Sequence, residues 1–213
     1  MSRSKPGTGA SPWKEAPFKL RTFNQAGRRK KAVLPVLVSG LCFVMLLALG
    51  FRAAADTYTT VYTPNGTAVI GAVLSELTPA DIEDINSMQQ SRFPYAYKIR
   101  EPTRRYNCHS YAWHSQSANN TVWIDYGDFL NEHKKYWQDG SYVAITTVTG
   151  DINVIPYAAP VGSKVFYNNG DHSAIKEGTH TFVSKWGAWG LYEHIPDYCP
   201  YISDSVTYYK RNK

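Results

Sequence analysis

Gly162-Ser163-Lys164-Val165-Phe166-Tyr167-Asn168-Asn169-Gly170-Asp171-His172-Ser173-Ala174-Ile175 is the stretch on which the fold turns. Two short apolar runs flank Asn-Asn-Gly-Asp, whose residues tolerate the left-handed backbone that tight hairpin turns need. The reading is a strand over 164–167, a turn, and a strand over 172–175. Working outward, period-two patterning predicts further strands over 142–148, 180–184 and 205–209. Upstream, Thr78-Pro79-Ala80-Asp81 opens a helix, with Thr as N-cap, proline in the first turn and an acid behind it. That helix should run to about residue 90. Residues 92–105, with Pro94 and Pro102, read as irregular. A short helix is expected over 108–116 with Asn107 as N-cap, and a third over 126–136, ending before Asp139-Gly140. Residues 56–76 read as extended, with a turn at Pro64-Asn65-Gly66. No internal repeat is seen. Helices followed by an antiparallel sheet argue an α+β class.

The first 55 residues differ in kind. Ten of the 23 Lys/Arg and one of the 17 acids lie there, leaving 56–213 at a net charge of −3. The near-neutral remainder gives no argument for nucleic acid. Residues 1–31 read as a basic cytoplasmic leader ending in Arg28-Arg29-Lys30-Lys31. Residues 32–51, AVLPVLVSGLCFVMLLALGF, carry no charge. Twenty residues span about 30 Å as a helix, the thickness of a bilayer core. The basic cluster would stay inside and the rest would cross. Ala53-Ala54-Ala55 suits signal cleavage, whereas the length of the apolar run suits an uncleaved anchor. Either outcome places 56–213 outside the cytoplasm, secreted or membrane-anchored. Its 158 residues suit one domain.

Two cysteines lie in that domain. Cys108 falls in Tyr106-Asn107-Cys108-His109-Ser110-Tyr111-Ala112-Trp113, in the first turn of the expected helix. Unpaired backbone N–H groups there favour a thiolate and can hold an oxyanion. A nucleophile needs a base, and His172, opening a strand after the hairpin turn, is the best placed. A third polar group on the following strand would orient it: Ser184, with Glu177, His180 and Lys185 nearby. The other course open to the thiols is a Cys108–Cys199 disulfide, since bridges persist outside the cytoplasm. It would close a loop of about ninety residues and stabilise the domain by roughly 2–4 kcal/mol. No metal or other cofactor is expected: His109 and His114 are poorly placed on one helix face. His133, His180 and His194 read as surface or partly buried. Trp113, Trp123, Trp137, Trp186 and Trp189 are expected in the core, with some free to line a groove. Asn65-Gly66-Thr67 and Asn119-Asn120-Thr121 are N-glycosylation acceptors where the host glycosylates.

These residues resemble a family. Tyr106-Asn107-Cys108-His109-Ser110 looks like the Asp-Cys-Ser-Gly turn of papain-like cell-wall peptidases, the NlpC-type and CHAP amidase groups. There a Gly-Asp-x-Val-x-Phe strand follows, then a His opening the next strand. Here 162–166 and 172–175 stand in that order. Val183-Ser184-Lys185-Trp186-Gly187 and Tyr198-Cys199-Pro200-Tyr201 are similar to segments of secreted bacterial proteins related to them. The resemblance covers roughly 100–201. It implies a papain-like domain with N-terminal helices packed on an antiparallel sheet. It implies a thiol hydrolase cleaving an amide bond, in peptidoglycan peptides above all. Cys108 would be nucleophile, His172 base and acid, Ser184 the third member, and Tyr106, Asn107 and His109 the oxyanion and substrate groove. Its partner would be peptidoglycan or a peptide, with membrane contact through 32–51 if the leader stays. His109 replaces a small residue and Ser163-Lys164 replaces the Asp. Two other readings remain: a non-catalytic envelope module with a Cys108–Cys199 bridge, and a toxin or transferase on the same fold.

Overall fold

The computed structural model describes residues 56–213. The leader, 1–31, and the apolar segment, 32–51, lie outside the described residues. Among the described residues no helix is long and apolar enough to cross a membrane. Thr57–Tyr62 (β1) and Ala68–Val73 (β2) form an antiparallel hairpin, Thr57 opposite Val73. Its turn is at Pro64-Asn65-Gly66, where Gly66 takes φ +90°. The two-residue strand Trp123–Ile124 (β4) pairs with the far edge of β2, giving the order β1-β2-β4.

Helix α1, Pro79–Arg92, starts where the sequence predicts. Thr78 Oγ1 accepts from the Asp81 N–H at 3.2 Å, and the Asp81 carboxylate accepts from the Thr78 N–H at 3.0 Å. This reciprocal box satisfies amides that a helix start leaves unpaired. Only Gln89 of this helix is buried, so its ends rather than an apolar face specify it.

The larger sheet has seven strands. They are Tyr97–Arg100 (β3), Tyr142–Thr149 (β5), Lys164–Tyr167 (β6), His172–Lys176 (β7), Phe182–Lys185 (β8), Leu191–His194 (β9) and Ser205–Arg211 (β10). Their order is β3-β9-β8-β7-β6-β10-β5, with every pairing antiparallel. The β6–β7 hairpin has the expected register, Tyr167 opposite His172. The class is therefore mixed α and β, with antiparallel sheets and few helices.

The third expected helix does not form over 126–131. Asp125, Gly127 and Asn131 all have positive φ (63°, 62° and 65°), which a right-handed helix cannot include. A Tyr126–Phe129 bridge, a 3₁₀ turn at Glu132–Lys134 and a single turn, Lys135–Gln138 (α2), take its place. Strand β3 lies where an irregular segment was expected, and β9 was not anticipated.

The large sheet is buried on both faces. One face carries Ile175, Val183 and Leu191 against Tyr111, Trp113 and Tyr209. The other carries Val165, Tyr167, Ala174, Phe182, Tyr192 and Tyr208. Trp113 and Trp186 are fully buried in these two cores; Trp123, Trp137 and Trp189 are half-buried. Successive side chains of a strand point to opposite faces, so sequence neighbours on β7 belong to different cores.

Candidate active site

Cys108 and His109 open the short helix expected after Asn107. It continues as a π-helix, Ser110–His114, in which the Ser115 amide donates to the Ser110 carbonyl at 2.9 Å. Such wide turns are found often at functional sites. Asn107 is the N-cap: its Oδ1 accepts from the Ser110 N–H (3.0 Å) and the Ile124 N–H (3.3 Å). Its Nδ2 donates to the Ile124 carbonyl at 2.6 Å, tying the helix start to β4. These bonds make Asn107 a buried structural clamp rather than a groove residue. Tyr106 is also buried, 3.3 Å from Arg100 Nη1 through its hydroxyl.

His109 is buried at the centre of a polar cluster. Its Nδ1 meets Ser173 Oγ at 2.9 Å, and Ser173 Oγ also accepts the Trp113 indole N–H at 2.8 Å. Its Nε2 faces Asp171 Oδ1 at 3.5 Å and Asp125 Oδ2 at 3.8 Å. The His133 ring lies parallel to it, 4.0 Å between centroids and 6° between planes. His133 Nδ1 bonds to Asp125 Oδ2, and the His133 amide donates to Asp125 Oδ1 at 3.2 Å. Phe166 closes the floor, 5.1 Å from the His133 ring. Asp125 and Asp171 both sit in the left-handed region, φ 63° and 44°. A non-glycine residue held there costs energy and is found disproportionately at functional sites.

Charge is divided unevenly across the cluster. Burial alone would lower the His109 pKa, but the adjoining Cys108 sulfur, Asp171 and Asp125 raise it well above the usual histidine value. Burial and the neighbouring His109 charge push His133 down to about 4. The hydrogen bond with His109 lowers the pKa of Asp171. For Asp125, burial is opposed and outweighed by the His133 hydrogen bond and the charge of His109, and the net shift is downward. These influences favour the charged form of His109, whose Nε2 faces two carboxylates and whose ring adjoins the Cys108 sulfur.

His172 is not in this group. It pairs across the hairpin with Tyr167, whereas its neighbour Ser173 pairs with Phe166 and holds His109. Cross-strand partners share a face, so His172 faces the opposite core. There its ring stacks on Tyr201 at 3.9 Å and meets Tyr167 edge-on at 5.0 Å. Neither ring nitrogen has a hydrogen-bond partner, and burial lowers its pKa well below the usual value. The expected Cys108–His172 pair therefore does not form. Ser184 is on that same far face, 2.7 Å from His194 Nε2 and accepting the Trp186 indole N–H at 2.9 Å, so it cannot orient a base for Cys108. Cys108 and Cys199 are both free thiols. Cys199 lies in the core of the far face, its Sγ 3.5 Å from the Tyr201 carbonyl, and burial raises its pKa to about 12.

No family model matches this chain, and no curated protein or solved structure does. The site is described from its own residues.

Asp125, His133 and Asp171 were not singled out as site residues from the sequence. His133 and His194 are buried rather than surface residues, while His180 is exposed. Asp171 stands inside the quoted hairpin turn, and an imidazole directly follows Cys108. Those two features were the available signals. Lys185 is also fully buried, on the Cys108 side of the sheet. Its Nζ donates to the carbonyls of Thr103 (2.9 Å), Gly187 and Trp189, and burial lowers its pKa to about 7. It organises backbone and is not free to serve the thiol. Four of the site's side chains, His109, Asp125, His133 and Asp171, bring one ligand atom each to within 4.8 Å of one another. Two surface hollows, one beside Leu74, Glu76 and Arg105 and one beside Gln89, Tyr97 and Lys98, lie away from them. The Asp171 side chain is the exposed member and marks the open side of the cluster.

Proposed function

We propose that the chain is an extracytoplasmic thiol hydrolase on a papain-like scaffold, cleaving an amide bond in the peptide part of peptidoglycan. Cys108 is the nucleophile, and His109 carries the proton in place of His172. One observation supports this most: a thiol, an imidazole and two carboxylates meet at the start of one short helix. The Cys108 sulfur attacks the carbonyl carbon, and the imidazolium of His109 gives its proton to the leaving amine. Water then cleaves the thioester, with His109 taking the proton back. Asp171 and Asp125 orient the ring and balance its charge. The leader at 1–51 supports action outside the cytoplasm.

The test is a three-variant comparison on cross-linked peptidoglycan peptides, with thioester trapping by mass spectrometry. Cys108→Ala and His109→Gln are expected to lose hydrolysis by about 10²-fold or more. His172→Gln is expected to keep it wherever the variant folds. Hydrolysis that survives Cys108→Ala ends the proposal, and loss in Cys108→Ala and His172→Gln with activity kept in His109→Gln returns the base to the far face.

A second reading, a non-catalytic envelope module, is favoured by the burial of Cys108. It requires no disulfide. Rapid, selective alkylation of Cys108 in the native protein speaks against this reading.

A further inference from the structure

We infer that His109, Asp125, His133 and Asp171 form a site for one divalent transition-metal ion of the zinc class. The donor set is two imidazoles and two carboxylates, which suits zinc, cobalt or manganese. The residues come from four separate segments: the helix start, the loop after β4, the 3₁₀ turn and the β6–β7 turn. Their ligand atoms converge from segments far apart in the chain, and three of the four residues are largely buried.

Distances favour a compact ion. Metal–ligand bonds of about 2.0–2.2 Å place tetrahedral neighbours roughly 3.3 Å apart. His109 Nε2 stands 3.5 Å from Asp171 Oδ1 and 3.8 Å from Asp125 Oδ2, near that spacing. His109 is oriented from behind: Ser173, itself held by Trp113, takes Nδ1 and leaves Nε2 facing the carboxylates. Outer hydrogen bonds of this form are how proteins fix a ligating imidazole. His133 supplies the second nitrogen: it is 1% exposed, and its Nδ1, bonded to Asp125 Oδ2, is the ring atom that faces the cluster. Both rings now stack face to face, so entry of an ion opens the stack and breaks the His133–Asp125 hydrogen bond. His133 Nδ1 would then exchange the carboxylate for the ion. Asp171, exposed on the rim, gives the route in.

The inference goes beyond the thiol mechanism and does not need it. Where both hold, an ion on His109 removes the proton carrier, so the metal-bound form is the resting form of the enzyme.

The experiment is titration of the purified full chain in detergent with Co²⁺, read by its visible d–d absorption, and with Zn²⁺ by calorimetry. One ion per chain is expected, with a tetrahedral cobalt spectrum. Asp171→Asn is the main variant, because asparagine accepts the left-handed backbone and only the charge is lost. It is expected to weaken binding by about tenfold or more. Cys108→Ala is expected to bind unchanged, which separates this site from the fate of the thiol mechanism. Absence of binding overturns the inference, as does unaltered affinity in Asp171→Asn. Loss of binding in Cys108→Ala shows a sulfur ligand and overturns the ligand set.

Discussion

Lowering the pH from about 7 to about 4.5 is expected to remove about 2–3 kcal/mol of stability through His194 alone. The backbone carbonyl of Ile195 only accepts, so His194 Nδ1, 2.7 Å away, carries the proton. Nε2 is then the acceptor, and the Ser184 hydroxyl donates to it at 2.7 Å while receiving the Trp186 N–H. A second proton on the ring would set two donors against each other. Burial pushes the His194 pKa to about 4 from 6.5, and the Ile195 carbonyl and Asp197 oppose it only weakly. The folded-state value is depressed, so the stabilisation is complete above about pH 6.5 and is lost as pH falls toward 4. Each unit in that window costs about 1.4 kcal/mol, because the unfolded chain takes a proton that the folded one refuses. His172 shifts in the same direction; His109 has the opposite sign and acts above the window. The assay is urea unfolding followed by tryptophan fluorescence at about pH 7, 5.5 and 4.5. In His194→Gln the pH slope should flatten by about 1.4 kcal/mol per unit. A midpoint that does not move between pH 7 and 4.5, or a slope untouched by His194→Gln, refutes the reasoning.

Other perturbations test the frame around the site. Asn107→Ala leaves the Ser110 N–H and both Ile124 backbone groups unpaired. It should cost about 3 kcal/mol at roughly 1 kcal/mol per bond, read as a shift in the urea midpoint. Gly71→Ala puts a methyl group 2.6 Å from Val122 Cγ1 and 2.9 Å from the Trp123 carbonyl oxygen. β4 must move off β2, and a loss of about 1–3 kcal/mol is expected in thermal or chemical unfolding. An unchanged midpoint in either variant contradicts the packing described.

What the sequence showed follows from how local each signal is. The α1 start and the β6–β7 hairpin rest on contacts within a few residues, Thr78 with Asp81 and Asn168 through Asp171, and both could be read directly. The helix over 126–136 failed because Asp125 and Asn131 do not announce a left-handed backbone; Gly127, the third such residue, was the one available sign. The facing of β7 could not be read for a different reason. All five residues of His172–Lys176 are buried, so hydrophobic alternation, which ordinarily tells one face from the other, is absent. Cys108 with its N-cap was legible as a helix start. Its relation to Asp125, His133 and Asp171 depends on loops returning from elsewhere in the chain, and no spacing rule encodes that.

Adjacent positions 172 and 173 carry an imidazole and a hydroxyl into two separate interiors. The four-residue turn 168–171 is the counter that decides which goes where. Adding or deleting one residue in it would exchange the pair, bringing an imidazole to the thiol side and a hydroxyl to the Tyr201 side. Turn length here is thus a chemical setting as much as a geometric one, and a chain of this design can change its proton carrier without substituting any residue of the strand.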